Sequence, residues 1–364
     1  MRATAVARPL VRGPSLTRTG LVLGGGGLLL VVVLLAGVGL GSVGVAPDDT
    51  VAILAHRLLG LGSTPTWSAA SETIVFDLRL PRVLTAMLVG AGLASAGTVF
   101  QGLLRNPMAD PYVIGTASGA SLGAISGILL PALVPSLALG AGTAWLGLGL
   151  VQVLAFCGGL LTVLLVYAVA RTAGRVPVVT LLLTGYAVSS VLAAGVALLM
   201  FVSGRALASI VAWLLGSLSG ASWNDLAFAA PLIGVAFALL LVRWRRLNLL
   251  LLGDVPAAHL GVDVEREKLV LTMLATLATS AAVAISGTIG FVGLVVPHLL
   301  RLAAGPDHRL LLPASLIYGA GLLALADLGA RLAGGVPVGV VTALIGAPFF
   351  IWLQRRSGRL RLAA

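Results

Sequence analysis

Residues 79–127 read RLPRVLTAMLVGAGLASAGTVFQGLLRNPMADPYVIGTASGASLGAISG. Two arginines, Arg79 and Arg82, stand three residues apart around Pro81, and an apolar, Gly/Ala-rich helix follows to about Phe100. A polar turn comes next, Arg105 to Pro111, in which Asn106, Pro107, Asp110 and Pro111 are expected to cap helix ends and fix the reversal. A second helix then carries Gly115, Gly119, Gly123 and Gly127. Four-residue spacing puts those glycines on one face, where a neighbouring backbone can approach closely. The stretch is a membrane hairpin: charged entry, crossing, tight polar turn, return.

Working outward, composition agrees. Of 364 residues, 59% are apolar and 10% charged, where a soluble domain carries roughly 25% charged residues. The deficit extends along the whole chain, so this is a polytopic membrane protein, not a globular domain on an anchor. The single cysteine, Cys157, lies in an apolar run and cannot form an internal disulfide. A net charge of +11 would suggest nucleic acid on a soluble protein, but here the charges lie between apolar runs. Topology explains them, and no nucleic-acid partner is expected. The first apolar run, from about Leu21, exceeds the 7–15 residues of a secretory signal core and reads as an uncleaved first helix. The four glycines 24–27 lack the Lys-Ser/Thr of a phosphate loop and read as a packing face.

Runs of about 17–25 apolar residues give ten expected spans: 21–43, 82–103, 113–131, 145–170, 177–201, 225–243, 269–287, 289–304, 311–329 and 337–354. Only Ser286-Gly287 divides the seventh from the eighth. Ten spans put both termini on one side. Of the 23 basic residues only Arg57, Arg79, Arg82, Arg205 and Arg331 fall on the other, and this bias places the termini in the cytoplasm. Residues 1–20 are then a basic cytoplasmic tail, 21–356 a single ten-helix transmembrane domain, and 357–364 a second cytoplasmic tail. The outer side carries the 46–81 segment and a short helix expected to lie on the membrane surface within 203–224.

Away from their ends the spans are expected to be free of Asp, Glu, Lys, Arg and His, which removes the groups an ion-coupled transporter needs. Lys268 is the only lysine and no P-loop is present, so energy for uphill transport must come from another chain. No catalytic constellation stands out, and His56, His259, His298 and His308 are scattered. His298, next to Pro297, is expected to be a satisfied packing residue at a proline kink. The longest inner connection, 243–268, holds two short helical stretches at about 247–252 and 255–260. Asp254 is placed to cap the second, with Pro256 in its first turn. Its apolar residues suit either a membrane-surface element or helices inserted into a cytoplasmic motor. The outer arginines Arg79, Arg82 and Arg331 suit either headgroup anchoring or a grip on a partner's carboxylates.

Several blocks then decide between these readings: RLPR…VGAGLASAG…FQGLLRNPMADPYVIGTASGA, LLLGDVPAAHLGVDVER, SGTIGFVGLVVPHLLRL…GPDHRLLLP, LADLGAR and PVGVVTALIGAPFFIWL. Over about residues 70–356 they resemble the membrane permease subunit of the type II ABC importers for iron-siderophores, haem and vitamin B12. The resemblance implies an all-α polytopic fold with ten transmembrane helices and a homodimer with a path along its axis. It further implies two cytoplasmic ATPase subunits below and one extracytoplasmic binding protein above, in the bacterial cytoplasmic membrane. By position, Arg79, Arg82 and Arg331 would receive the binding protein's glutamates, and Gly253, Asp254, Ala257, Ala258, Leu260 and Gly261 would form the coupling loop in the ATPase cleft. No cofactor is expected on this chain, and ATP and Mg would sit on the partner ATPase. The cargo is expected to be an iron chelate, haem included, ahead of vitamin B12, since iron systems are the commoner members. An ion-coupled transporter and a channel or scaffold subunit are the alternatives.

Overall fold

A computed structural model describes residues 15–41, 43–61, 67–133 and 149–362, and over these the chain is nearly all helical. α1 (Leu16–Gly39) and α2 (Pro47–Leu59) precede α3 (Ala69–Glu72), a π-helical segment Thr73–Arg79 and α4 (Leu80–Leu103). After the hairpin turn come α5 (Thr116–Leu133), α6 (Leu150–Ala170), α7 (Val178–Val202), α8 (Leu207–Leu214), α9 (Trp223–Val242), α10 (Trp244–Leu250) and α11 (Asp254–His259). α12 (Val264–Ser286), α13 (Val292–Ala304), α14 (His308–Leu332) and α15 (Val338–Leu362) complete the chain. Arg2, Arg8 and Arg12 of the basic tail lie outside the described residues.

α4 is the axis of the bundle. It packs against α9, α12, α13 and α14 and is buried along almost its whole length. Glycine makes this possible. Gly90 lies on the Gly319 carbonyl of α14 and Gly97 on the Gly293 carbonyl of α13, where a Cβ would overlap backbone atoms. Where lipid is as apolar as leucine, such close approach supplies the van der Waals contact that holds helices together. The glycine face of α5 works the same way: Gly119, Gly123 and Gly127 meet the backbone of α6 at Gly158, Leu154 and Val151. Leu93, Ile233, Val292, Leu311 and Leu323 fill the core around α4.

Among the described residues, seven helices are long and apolar enough to cross a membrane. Residues 145–148 of the fourth expected span lie outside the described residues. Within the described residues each expected span coincides with a helix, but three apolar stretches are shorter: Thr116–Pro131, Val292–Ala304 and Val338–Ile351. The 13 residues of α13 reach only about 20 Å at ~1.5 Å per residue, short of the ~30 Å hydrocarbon layer. The expected division at Ser286-Gly287 is a longer break, residues 287–291, with Gly287 (φ 67°) and Phe291 (φ 69°) in positive-φ conformations.

The short helix expected on the membrane surface is α8, and its C-terminal end is built into this break. Ser217 N donates to the Ser286 carbonyl (2.9 Å), Gly339 N to the Gly216 carbonyl (3.2 Å) and Thr288 Oγ1 to the Leu214 carbonyl (2.6 Å). Irregular backbone inside a helical bundle is tolerated when such groups satisfy one another. α2, too, is a helix that the span count passed over. Its signals were local: Pro47 at the first position, Asp48 and Asp49 in the first turn, and Gly60 beyond its end at φ 64°. α1 starts at Leu16 and α15 runs to Leu362, so the expected bounds of 21 and 354 were short because hydropathy fades before a helix does.

Candidate functional site

Packing collects the polar residues at two ends of the bundle. At one end stand Arg79, Arg82 and Arg331, together as expected, but none is a free fork. Arg79 is 6% exposed. Its Nη1 donates to the carbonyls of Val38 and Gly39 (both 3.1 Å) and its Nη2 to that of Val43. A guanidinium on the last carbonyls of α1 is a C-terminal cap that also meets the helix dipole. Arg82 pairs with Asp327 through Nε (3.1 Å to each carboxylate oxygen) and Nη2 (2.8 Å). Arg331 places Nε 3.2 Å from Asp327 and donates from Nη2 to the Gly37 carbonyl (2.9 Å). Arg82 and Arg331 each keep one terminal nitrogen, Nη1, without a partner among the described residues, and Arg82 is the more exposed of the two, 19% against 10% at the side chain.

Asp327 corrects one expectation. It is 1% exposed, within α14 and away from its last turn, so the helices are not free of buried ionisable groups. His298 is buried in α13. The Pro107 carbonyl of the hairpin turn faces its ring, but neither ring nitrogen makes a hydrogen bond of normal geometry among the described residues.

The other end holds the coupling segment. Gly253 (φ 111°) and Gly261 (φ 84°) supply the left-handed turns that set α11 off from its neighbours. Gly253 is the N-cap residue, with no side-chain cap. Asp254 is instead spent on two cations: Arg105 Nη2 (3.2 Å) in the hairpin turn and Lys268 Nζ (2.6 Å) on α12. α11 is thereby tied to both the α4–α5 hairpin and α12. Ala257 is fully buried, whereas Ala258, Leu252, Val255 and Leu260 are exposed. An apolar knob stands proud on a polar, fixed base.

Sequence reasoning missed Arg105 and Lys268 because their partner lies about 150 and 14 residues away in sequence. It also missed Asn248 of α10, which donates to Asp307 Oδ1 (2.7 Å) and accepts from His308 N (3.0 Å), joining the coupling segment to the start of α14. Glu267, 4% exposed at its side chain, gathers Arg243 (2.6 Å) and Arg246.

The hairpin residues act as local turn-makers, not helix caps. Asn106 Oδ1 accepts from Met108 N (3.0 Å), and Asp110 Oδ1 from Tyr112 N (2.9 Å). Both are Asx turns. Tyr112 Oη donates to the Ile289 carbonyl (3.0 Å), pinning the turn against the α12–α13 break. Pro107 is exposed at the tip, and Gly115 holds φ 95° where α5 begins.

Burial pushes the Asp110 carboxyl up to about 6, with the Tyr112 N–H opposing. A folded value above the unfolded ~3.9 means the unfolded chain releases its proton first. Stability therefore falls as pH rises from about 4 to about 6 and levels off above. Asp110→Asn keeps the accepting oxygen and removes this dependence. The variant is expected to be the more stable form at pH 7, by on the order of 1–2 kcal/mol, and indistinguishable near pH 4. Thermal unfolding across that range checks it.

Comparison with known proteins places this geometry. The chain is 44% identical over 310 residues to the cobalamin import system permease protein of Halobacterium salinarum, covering 85% of this chain and 79% of that one. It is 41% identical over 313 residues to the hemin transport system permease protein of Yersinia pestis, covering 82% and 91%. A solved structure of a metal-chelate type ABC transporter in an inward-facing conformation superposes with a TM-score of 0.77 at 32% identity, covering 92% of this chain and 99% of that one. A profile of one family matches residues 28–356, and the chain belongs to it: the FecCD transport family.

Proposed function

We propose that the chain is the permease subunit of an ATP-driven importer, working as a homodimer with a cytoplasmic ATPase dimer and an extracytoplasmic binding protein. The ten helices that coincide with the expected spans are read as ten crossings, with both termini in the cytoplasm. The observation that carries the reading is α11: an exposed apolar knob fixed by Asp254 to the two helices that lead into the bundle axis. A motor subunit that grips α11 moves α4 and α12 with it. No ATPase site is expected in this chain, and hydrolysis belongs to the partner. The apolar face of α7, with Leu183, Tyr186, Val191 and Phe201 all exposed, is left for lipid or the second copy to cover.

The cargo class is a large metal chelate. Relatives named for cobalamin and for hemin stand at 44% and 41% identity, so similarity does not divide these cargoes. ATP-dependent uptake into proteoliposomes holding this chain, its ATPase and its binding protein, offered labelled haem, a ferric siderophore and cobalamin in parallel, tests the reading. Accumulation of one is expected. Accumulation without ATP, by this chain alone, would mean an ion-coupled transporter. Asp327 is a poor candidate for that role, because two guanidiniums hold its charge.

At the outer end the binding protein is read as docking over Arg82, the more exposed of the two arginines on Asp327, while Arg79 and Arg331 hold α1 beneath it. Arg82→Gln is expected to weaken binding-protein affinity about tenfold, on the scale of one charge-assisted hydrogen bond. The ATPase should still copurify. Unchanged affinity in a titration of the purified complex would remove Arg82 from the docking face.

A further inference from the structure

Four arginines surround the junction of α9, α10 and the start of α14, and they divide into two kinds. Arg243 and Arg246 share one buried carboxylate, Glu267. Arg245 and Arg309 have no carboxylate partner among the described residues. Both instead lie on one ring: the guanidinium carbon of Arg245 is 5.3 Å from the Trp244 ring centroid and that of Arg309 is 5.8 Å away. Arg245 and Arg309 are 64 positions apart in sequence, so the fold brings them together. The nearby Asp307 carboxylate is taken by Asn248 and the Arg309 backbone N–H. Two like charges held on one aromatic ring, with no carboxylate in contact with either guanidinium among the described residues, are a site short of an anion. Cation–π contact fixes the guanidiniums while leaving their N–H edges free to donate.

The surroundings say which anion. Trp244 follows directly on an apolar helix, in the interfacial position that tryptophan favours. The helix that leads into Trp244, α9, carries exposed apolar side chains at Val235, Leu239 and Val242, spaced to share one face. A soluble phosphate has no use for such a wall, but acyl chains do. The geometry points to a headgroup site for an anionic phospholipid: the phosphodiester on Arg245 and Arg309, Trp244 at the glycerol level, and the chains along α9. Basic pockets of this type at the cytoplasmic ends of helices select anionic lipids. The site rests on the reading that this end meets the inner leaflet, and is independent of cargo, binding protein and ATPase.

The experiment is native mass spectrometry of the whole chain, purified in detergent and titrated with phosphatidylglycerol or phosphatidylcholine. Wild type is expected to retain phosphatidylglycerol preferentially. Arg245→Gln with Arg309→Gln is expected to weaken retention about tenfold or more, at roughly 1 kcal/mol per arginine near a lipid surface. Trp244→Leu keeps both charges and removes the ring that sets them. It is expected to lose a measurable part of that preference, which charge alone would preserve. Arg171→Gln with Arg175→Gln, elsewhere on the same expected face, serves as the control and is expected to change retention less than twofold. Equal losses in the two double variants would reduce the effect to diffuse basic attraction and overturn the site. So would unaltered retention in the first. Retained lipid together with failure to copurify the ATPase would reassign the pair to the protein interface. Displacement of the lipid by inorganic phosphate alone would reassign it to a free anion.

Discussion

Asp327→Asn is expected to destabilise the chain by about 3–5 kcal/mol, the cost of breaking a buried ion pair from one side. The carboxylate is 1% exposed at its side chain, and its partners Arg82 and Arg331 are 19% and 10% exposed. Asparagine keeps the volume but leaves two guanidiniums in a low-dielectric site without a counter-charge. Neither can escape by losing its proton, because arginine stays charged in proteins. The effect should spread to α1, whose last carbonyls are held by Arg331 and Arg79. Adding Arg82→Gln to Asp327→Asn is expected to recover part of the loss, since removing both partners costs less than orphaning one. Thermal unfolding of the purified chain in detergent, run as a double-mutant cycle, measures the coupling. A loss below about 1 kcal/mol for Asp327→Asn would show that water reaches the cluster and that the pair is a surface one.

This cluster also shows where sequence reading stops. Arg79, Arg82 and Arg331 were legible as outer arginines from the charge bias. What they do there depends on Asp327, which is 245 residues from Arg82. Near the boundary of an apolar run, hydropathy cannot tell a buried acid from a solvated one. Helix identity was legible because apolar runs report burial in lipid directly. The glycine face of α5 was legible because its four-residue period needs no partner to be recognised. The partner helix, α6, was not. The 287–291 break was underestimated for a related reason: its backbone is held at Ile289 by Tyr112 Oη and its Thr288 hydroxyl by the end of α8, both from elsewhere in the chain. The coupling segment shows the same division. Gly253 and Gly261 announced two short helices locally, whereas Asp254 was assigned a local capping role and in fact makes long-range pairs with Arg105 and Lys268.

That difference makes Asp254 the most informative position for function. Asp254→Arg is expected to reduce ATP-driven uptake about tenfold or more, the 1–3 kcal/mol scale of coupling between sites, while leaving the fold intact. The two expectations fit together because of exposure. Asp254 is 43% exposed at its side chain and Arg105 is 41% exposed, so their pair contributes only ~0.2–1 kcal/mol to stability. The tie to Lys268, 9% exposed, is the stronger of the two. Reversing the charge sets three cations together where one carboxylate joined two. α11 then leans away from both the hairpin and α12, and motion imposed on the knob of Leu252, Val255 and Leu260 no longer reaches α4. Arg105→Asp in the Asp254→Arg background restores one of the two ties and is expected to recover uptake in part. Lys268 would remain mismatched, so recovery should fall short of wild type. The measurement is uptake and ATP hydrolysis on the same proteoliposomes: loss of uptake with hydrolysis retained is the signature of a broken linkage. Full uptake by Asp254→Arg would mean that α11 is carried by its apolar contacts alone, and that the ion pairs with Arg105 and Lys268 only position it at rest.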